Sequence, residues 1–200
     1  RRTREATTLC EAAGFGVVLI ETVGVGQSET MVAEMADLFV LLLAPAGGDE
    51  LQGVKRGIME MADLILINKA DGDLKSTATR TCADYAGALR LLRKRSQDPE
   101  DFPKALTVSA LEGVGLRQSW EEMQALVAWR REQGVWARTR ESQNAYWFNA
   151  ELRYALLTRL EHDPEAAEAS RQLQKAIHAG DIAPSLAAEQ VVDIFLRPKA

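Results

Sequence analysis

The stretch LILINKAD, residues 64–71, decides the fold. Four apolar residues in a row, Leu64-Ile65-Leu66-Ile67, with no alternation of polar and apolar positions, describe a strand covered on both faces, as in a parallel sheet flanked by helices. The run stops at Asn68-Lys69-Ala70-Asp71, so the strand delivers a polar turn to its C-terminal end, where open α/β sheets bind ligands. The residue types in that turn suit a purine. A carboxylate held in plane, here Asp71, accepts hydrogen bonds from both a ring N–H and an exocyclic amine, which guanine offers and adenine does not. Asn68 can tie neighbouring loops through its amide, and the Lys69 stem can lie along one face of a base with its ammonium in water.

Working outward, the pattern of strand and helix repeats. Upstream, helical spacing over Thr3 to Ala13 ends at Gly14, and Val17-Val18-Leu19-Ile20 reads as a further buried strand, closed by Glu21 and a glycine-rich loop, TVGVGQS. Leu38 to Leu43 predicts another strand, Asp49 to Met61 a helix, Ser76 to Arg95 a helix, and Lys104 to Val108 a strand that ends in Ser109-Ala110-Leu111. Right-handed crossovers then give a mostly parallel sheet, with the loops after Ile20, Ile67 and Val108 at one edge. From Gly115 onward strands cease. Leu116, Trp120, Met123, Val127 and Arg130 share a helical face up to Gly134, and a helix over Thr139 to Leu160 carries apolar residues round too wide an arc for one contact face. Asp163-Pro164-Glu165 opens a helix that Gly180 closes, and a last helix starts near Pro184. The expected architecture is α/β: a mostly parallel sheet with helices over residues 1–133, then a helical arm over 134–200.

Composition narrows the function. A net charge of -5, with no basic cluster larger than Arg93-Lys94-Arg95, argues against nucleic acid as the main partner. No apolar run approaches the roughly 18 residues of a membrane span. Cys10 and Cys82 lack C-x-x-C spacing and read as free thiols, while His162 and His178 stand singly on helices.

ETVG at 21–24, NKAD at 68–71 and SAL at 109–111 occur in the order used by G proteins. The longer runs ETVGVGQSE (21–29), DELQG (49–53) and ADLILINKAD (62–71), with AGDIAP at 179–184, closely resemble the MeaB/ArgK family of methylmalonyl-CoA mutase-associated GTPases, whose older label is LAO/AO transport system kinase. The resemblance implies that residues 1–133 are part of a P-loop-type G domain, that Glu21 faces Mg²⁺, that Gly24 contacts the γ-phosphate of GTP, that Asn68, Lys69, Ala70 and Asp71 bind guanine, and that Ser109, Ala110 and Leu111 support the base. It implies GTP and GDP as ligands, a cobalamin-dependent mutase such as methylmalonyl-CoA mutase as partner, a homodimer built through the arm, and a cytoplasmic setting, or the mitochondrial matrix in a eukaryote. Gln27 receives no catalytic role, because Val25 and Gly26 separate it from the glycine that the catalytic Gln of better-known G proteins directly follows. The 200 residues hold no G-x-x-x-x-G-K-[ST] run, the nearest approach placing Val54 where lysine belongs. A phosphate loop and first switch are therefore expected before Arg1, and the chain by itself is expected to be inactive. A nickel-inserting GTPase is the alternative within enzymes, weakened by the lack of Cys or His beside the mobile loops. A noncatalytic dimerisation and partner-binding module is the alternative outside them.

Overall fold

The computed structural model describes residues 2–22, 29–45, 56–92, 95 and 98–197. It divides into two compact units, residues 1–143 and 144–200.

The first unit is built on a parallel sheet in the order β1-β2-β3, with β1 Val40–Leu43, β2 Leu64–Ile67 and β3 Lys104–Thr107. β2 is central, with a strand paired along each edge, and all four of its residues are buried, whereas the equally apolar β1 at the edge buries only Leu41 fully. Its period-two alternation splits the core in two. Ile65 and Ile67 pack with Ile58 and Met59 of α3 (Arg56–Met61) and with Ala78, Tyr85 and Leu89 of α4 (Lys75–Leu91). Leu64 and Leu66 pack on the opposite face with Phe102, Val108 and Leu126, the last from α5 (Leu116–Glu132). Each such burial stabilises by about 2 kcal/mol relative to exposure. The register pairs Leu43 with Ile67 and Ile67 with Thr107, so the three strands end level and release their loops at one edge.

The opposite end of β2 is held by charge. Asp63 accepts from the Phe39 amide at 2.8 Å and from Arg130 of α5 at 2.6 Å, while Arg130 also donates to Asp98 at 2.7 Å and to the Asp37 carbonyl at 3.0 Å. Arg95 adds a bond to Asp63 at 3.0 Å and an ion pair with Asp98 at 2.8 Å. Burial pulls the Arg130 pKa down, yet its bonds to Asp63 and Asp98 outweigh that and hold it above its ordinary value.

The second strand expected from the sequence upstream is not formed. Val17 to Ile20 has no ladder, and Leu19 is 89% exposed. A strand is a property of a pair, not of a segment, and the apolar run meets no pairing partner among the described residues. Helix α1 (Arg2–Ala12) precedes it and ends at Gly14 with φ of +90°, as its sequence implied. A five-residue helix α2 (Glu29–Ala33) follows Glu21 and the undescribed stretch 23–28. The helix expected over 49–61 is described from Arg56.

Helix α6 (Val135–His162) starts in the first unit and continues into the second. There α7 (Pro164–Ala179) packs on α8 (Pro184–Phe195). Asp163 caps α7, its carboxylate accepting from the Ala166 amide at 3.0 Å, Pro164 occupies the first turn, and Gly180 ends the helix at φ of +79°. His162 and His178 each contact the carbonyl one turn back, at 2.8 and 2.7 Å, as helix-end histidines do.

Candidate functional site

The loops after β2 and β3 interlock through hydrogen bonds, most of them using backbone groups that a strand end would otherwise leave open. The Asn68 amide still pairs with the Leu43 carbonyl at 2.8 Å, extending the ladder by one residue. Lys69 then turns the chain, with φ of +58°, the left-handed region that a non-glycine residue enters at a cost. The turn brings the Ala70 amide to the Val108 carbonyl at 3.0 Å, so the two loops are zipped at their roots. Further out, Asn68 Oδ1 accepts from the Ala110 amide at 3.1 Å, and the Ser109 hydroxyl donates to Asp71 Oδ2. Ser109 Oγ in turn accepts from the Glu112 amide at 3.0 Å. A completely buried serine thus holds a half-buried carboxylate in one orientation while that carboxylate keeps acceptor sites to spare.

The second loop closes on itself just as tightly. Ser109 donates its amide to the Val114 carbonyl at 2.9 Å, and Gly115, at φ of +76°, opens α5 against the end of β3. A Cβ at Gly115 would lie 2.4 Å from the Thr107 carbonyl oxygen, so only glycine lets the loop return this close to the strand. Lys69 and Leu111 stand out from this frame, Leu111 being 86% exposed. The result is a rigid floor carrying an oriented carboxylate, with an ammonium-tipped stem and an apolar side chain on the two loops beside it.

Comparison with known proteins gives the arrangement a lineage. The profile of methylmalonyl Co-A mutase-associated GTPase MeaB matches residues 1–180. The chain belongs to the MeaB family. It is 43% identical over 195 residues to the mitochondrial methylmalonic aciduria type A homolog of Mus musculus, covering 98% of this chain and 46% of that protein. To the GTPase ArgK of Escherichia coli it is 39% identical over 199 residues, covering 98% of this chain and 58% of that one. The crystal structure of an LAO/AO transport system kinase superposes with a TM-score of 0.72 at 34% identity, over 98% of this chain and 62% of the other. The chain thus spans about half the length of the curated relatives it matches. The parallel sheet and the loops at its C-terminal edge are those of the P-loop GTPase fold to which this structural relative belongs.

Within this MeaB-family chain the residues singled out from sequence fall into three groups. Asn68, Lys69, Ala70, Asp71, Ser109 and Ala110 share one loop cluster, with Leu111 at its rim. Glu21 is exposed, in the segment that does not form the expected strand. Gly24 lies outside the described residues, as does Gln27. Gly115 went unremarked in the motifs although it decides how the serine loop packs. Its signal was a second glycine two residues after Gly113 at the start of a helix.

Proposed function

We propose that this chain is the base-reading part of a GTPase that serves as a chaperone for a cobalamin-dependent methylmalonyl-CoA mutase. The observation that carries the reading is the Ser109–Asp71 hydrogen bond beside the Asn68–Ala110 bond, which orients one carboxylate at the strand end where the fold binds nucleotide. Asp71 accepts from the guanine ring N–H and amine, Lys69 and Leu111 flank the ring, and the Ala110 backbone and Asn68 keep the two loops together. Gly24 senses the terminal phosphate. The reaction is transfer of the γ-phosphoryl group of GTP to water.

Mg²⁺ fits the donor set in a limited way. Such an ion takes one or two carboxylates and completes its shell with phosphate oxygens and water, and the exposed carboxylate of Glu21 is suited to that single place. When bound, the ion neutralises charge on the β- and γ-phosphates. The lysine and hydroxyl of a phosphate loop are not among these 200 residues, and the reading assigns hydrolysis to a chain that carries them together with this base-reading part.

The partner reading rests on the family's description as mutase-associated. The homodimer reading rests on the apolar arc of α6, where Tyr146, Phe148, Leu152, Tyr154, Leu156 and Leu157 are all exposed. Steady-state hydrolysis by the full-length protein, with GTP and ATP and with and without the mutase, tests the proposal. GTP should be preferred by at least about 100-fold, within the roughly 10⁴–10⁵ open to a site that hydrogen-bonds its substrate, and the mutase should change the GTP rate. Equal use of ATP would end the guanine reading, and indifference to the mutase would end the chaperone reading.

A further inference from the structure

Two side chains of α6 grip the short segment that joins α2 to β1. Arg140 donates through Nε to Asp37 Oδ1 at 2.7 Å and through Nη2 to Asp37 Oδ2, the bidentate fork in which guanidinium and carboxylate match best. One turn further along, Gln143 Nε2 donates to the Ala36 carbonyl at 2.9 Å. The fork is braced from its other side. Trp136 lies with its ring 5.1 Å from the Arg140 guanidinium and 4.7 Å from that of Arg131, and Arg140 also pairs with Glu11 at 2.8 Å. The hydrogen bonds to Asp37, ahead of the opposing effect of burial, keep Arg140 charged well beyond its ordinary pKa.

Isolated surface ion pairs stabilise little, so such convergence on two consecutive residues asks for another use. Residues 36 and 37 lie between α2, which ends at Ala33, and β1, which begins at Val40. The Asp37 carbonyl is held independently by Arg130 at 3.0 Å, and Arg130 anchors the base of β2. On the other side, α6 is one unbroken helix of 28 residues that passes from the first compact unit into the second. The segment is thus fixed to the sheet by Arg130 and to α6 by Arg140 and Gln143. The α6 contacts are partly exposed, Arg140 retaining 40% and Asp37 24% of side-chain accessibility, so they can exchange without burying an unpaired charge.

We propose that Arg140 and Gln143 form a clasp through which a change in the position of α2 is transmitted along α6 into residues 144–162, and through which a partner on that helix acts back on α2. The inference deepens the GTPase reading and rests on it, because α2 follows the ETVGVGQS segment in the chain. Reciprocity is required of any such coupling, and a non-additive double-mutant cycle is the evidence that separates it from mere proximity.

Amide hydrogen exchange over 144–162 in the full-length protein, bound to GDP or to a non-hydrolysable GTP analogue, reads the clasp directly. The two nucleotides should give exchange rates there that differ by about threefold or more. Arg140→Met and Asp37→Asn should each bring that ratio close to one, the pair together doing no more than either alone, with nucleotide affinity staying within about twofold of the parent. Gln143→Ala, a milder change on the same grip, should lower the ratio part of the way and serves if Arg140→Met does not fold. A ratio as large in the variants as in the parent, or a parent that binds both nucleotides with identical exchange over 144–162, would retire the clasp and leave the GTPase reading standing. A full-length protein that binds no guanine nucleotide would remove both.

Discussion

At the scale of single residues, the candidate site depends on two positions that chemistry alone would rank differently. Asp71 is the reader proposed above, but its orientation comes from Ser109, a completely buried hydroxyl that bonds the carboxylate and a backbone amide at once. Ser109 is in turn placed by Gly115, where φ is +76° and the nearest backbone oxygen stands 2.4 Å from where a Cβ would be. Gly115→Ala combines left-handed strain with that overlap and should cost about 2–3 kcal/mol of folding stability. Urea denaturation of the purified chain measures it. A loss under half a kcal/mol would mean that the loop can retreat from β3 freely, and the serine would then not be rigidly held.

At the scale of elements, β2 was the most legible part of the fold because its signal is entirely local: four apolar residues bounded by charge on one side and a polar turn on the other. The helix ends at Gly14, Gly134 and Gly180 were legible for the same reason, each sitting at positive φ where a helix must stop. Val17 to Ile20 shows where local reading fails. It has the composition of a buried strand, yet a ladder needs a neighbour, and that information is not contained in the four residues themselves. Arg130 is the complementary case. The sequence spacing groups it with Leu116, Trp120, Met123 and Val127, but Leu116 and Trp120 are exposed, and Ser119, Leu126 and Arg130 are what α5 buries. The carboxylates that explain it, Asp63 and Asp98, lie 67 and 32 positions away in the chain. Removing one partner of a buried network leaves the others uncompensated, so Arg130→Met should destabilise by about 3–5 kcal/mol. Replacing Asp63, Asp98 and Arg130 together with apolar residues should recover much of that loss. If the single and triple variants melt alike, the network is not the anchor of β2.

At the scale of the whole molecule, the helical units raise the question of exposed apolar surface. Phe148 is 65% exposed and Leu157 57%, on a helix whose apolar arc is too broad for one partner face. Burying such an arc by two-fold self-association is the commonest solution available to a soluble chain. Sedimentation equilibrium should therefore give a dimer, and Phe148→Lys with Leu157→Lys should shift it to monomer without loss of helix content. A parent that sediments as a monomer at every concentration, or a dimer untouched by both charges, contradicts the dimer reading.

The central claim, that the loop after β2 reads guanine, is tested most directly by exchanging the reader for its amide. Asp71→Asn in the full-length protein turns one acceptor into a donor, which mismatches the exocyclic amine of guanine and matches the carbonyl that xanthine carries in its place, the ring N–H being accepted by the remaining oxygen in either case. Equilibrium titration should show GTP weakened by about 1–3 kcal/mol while xanthosine triphosphate gains in affinity. A variant that binds GTP as tightly as its parent and still refuses the xanthine nucleotide would contradict the account.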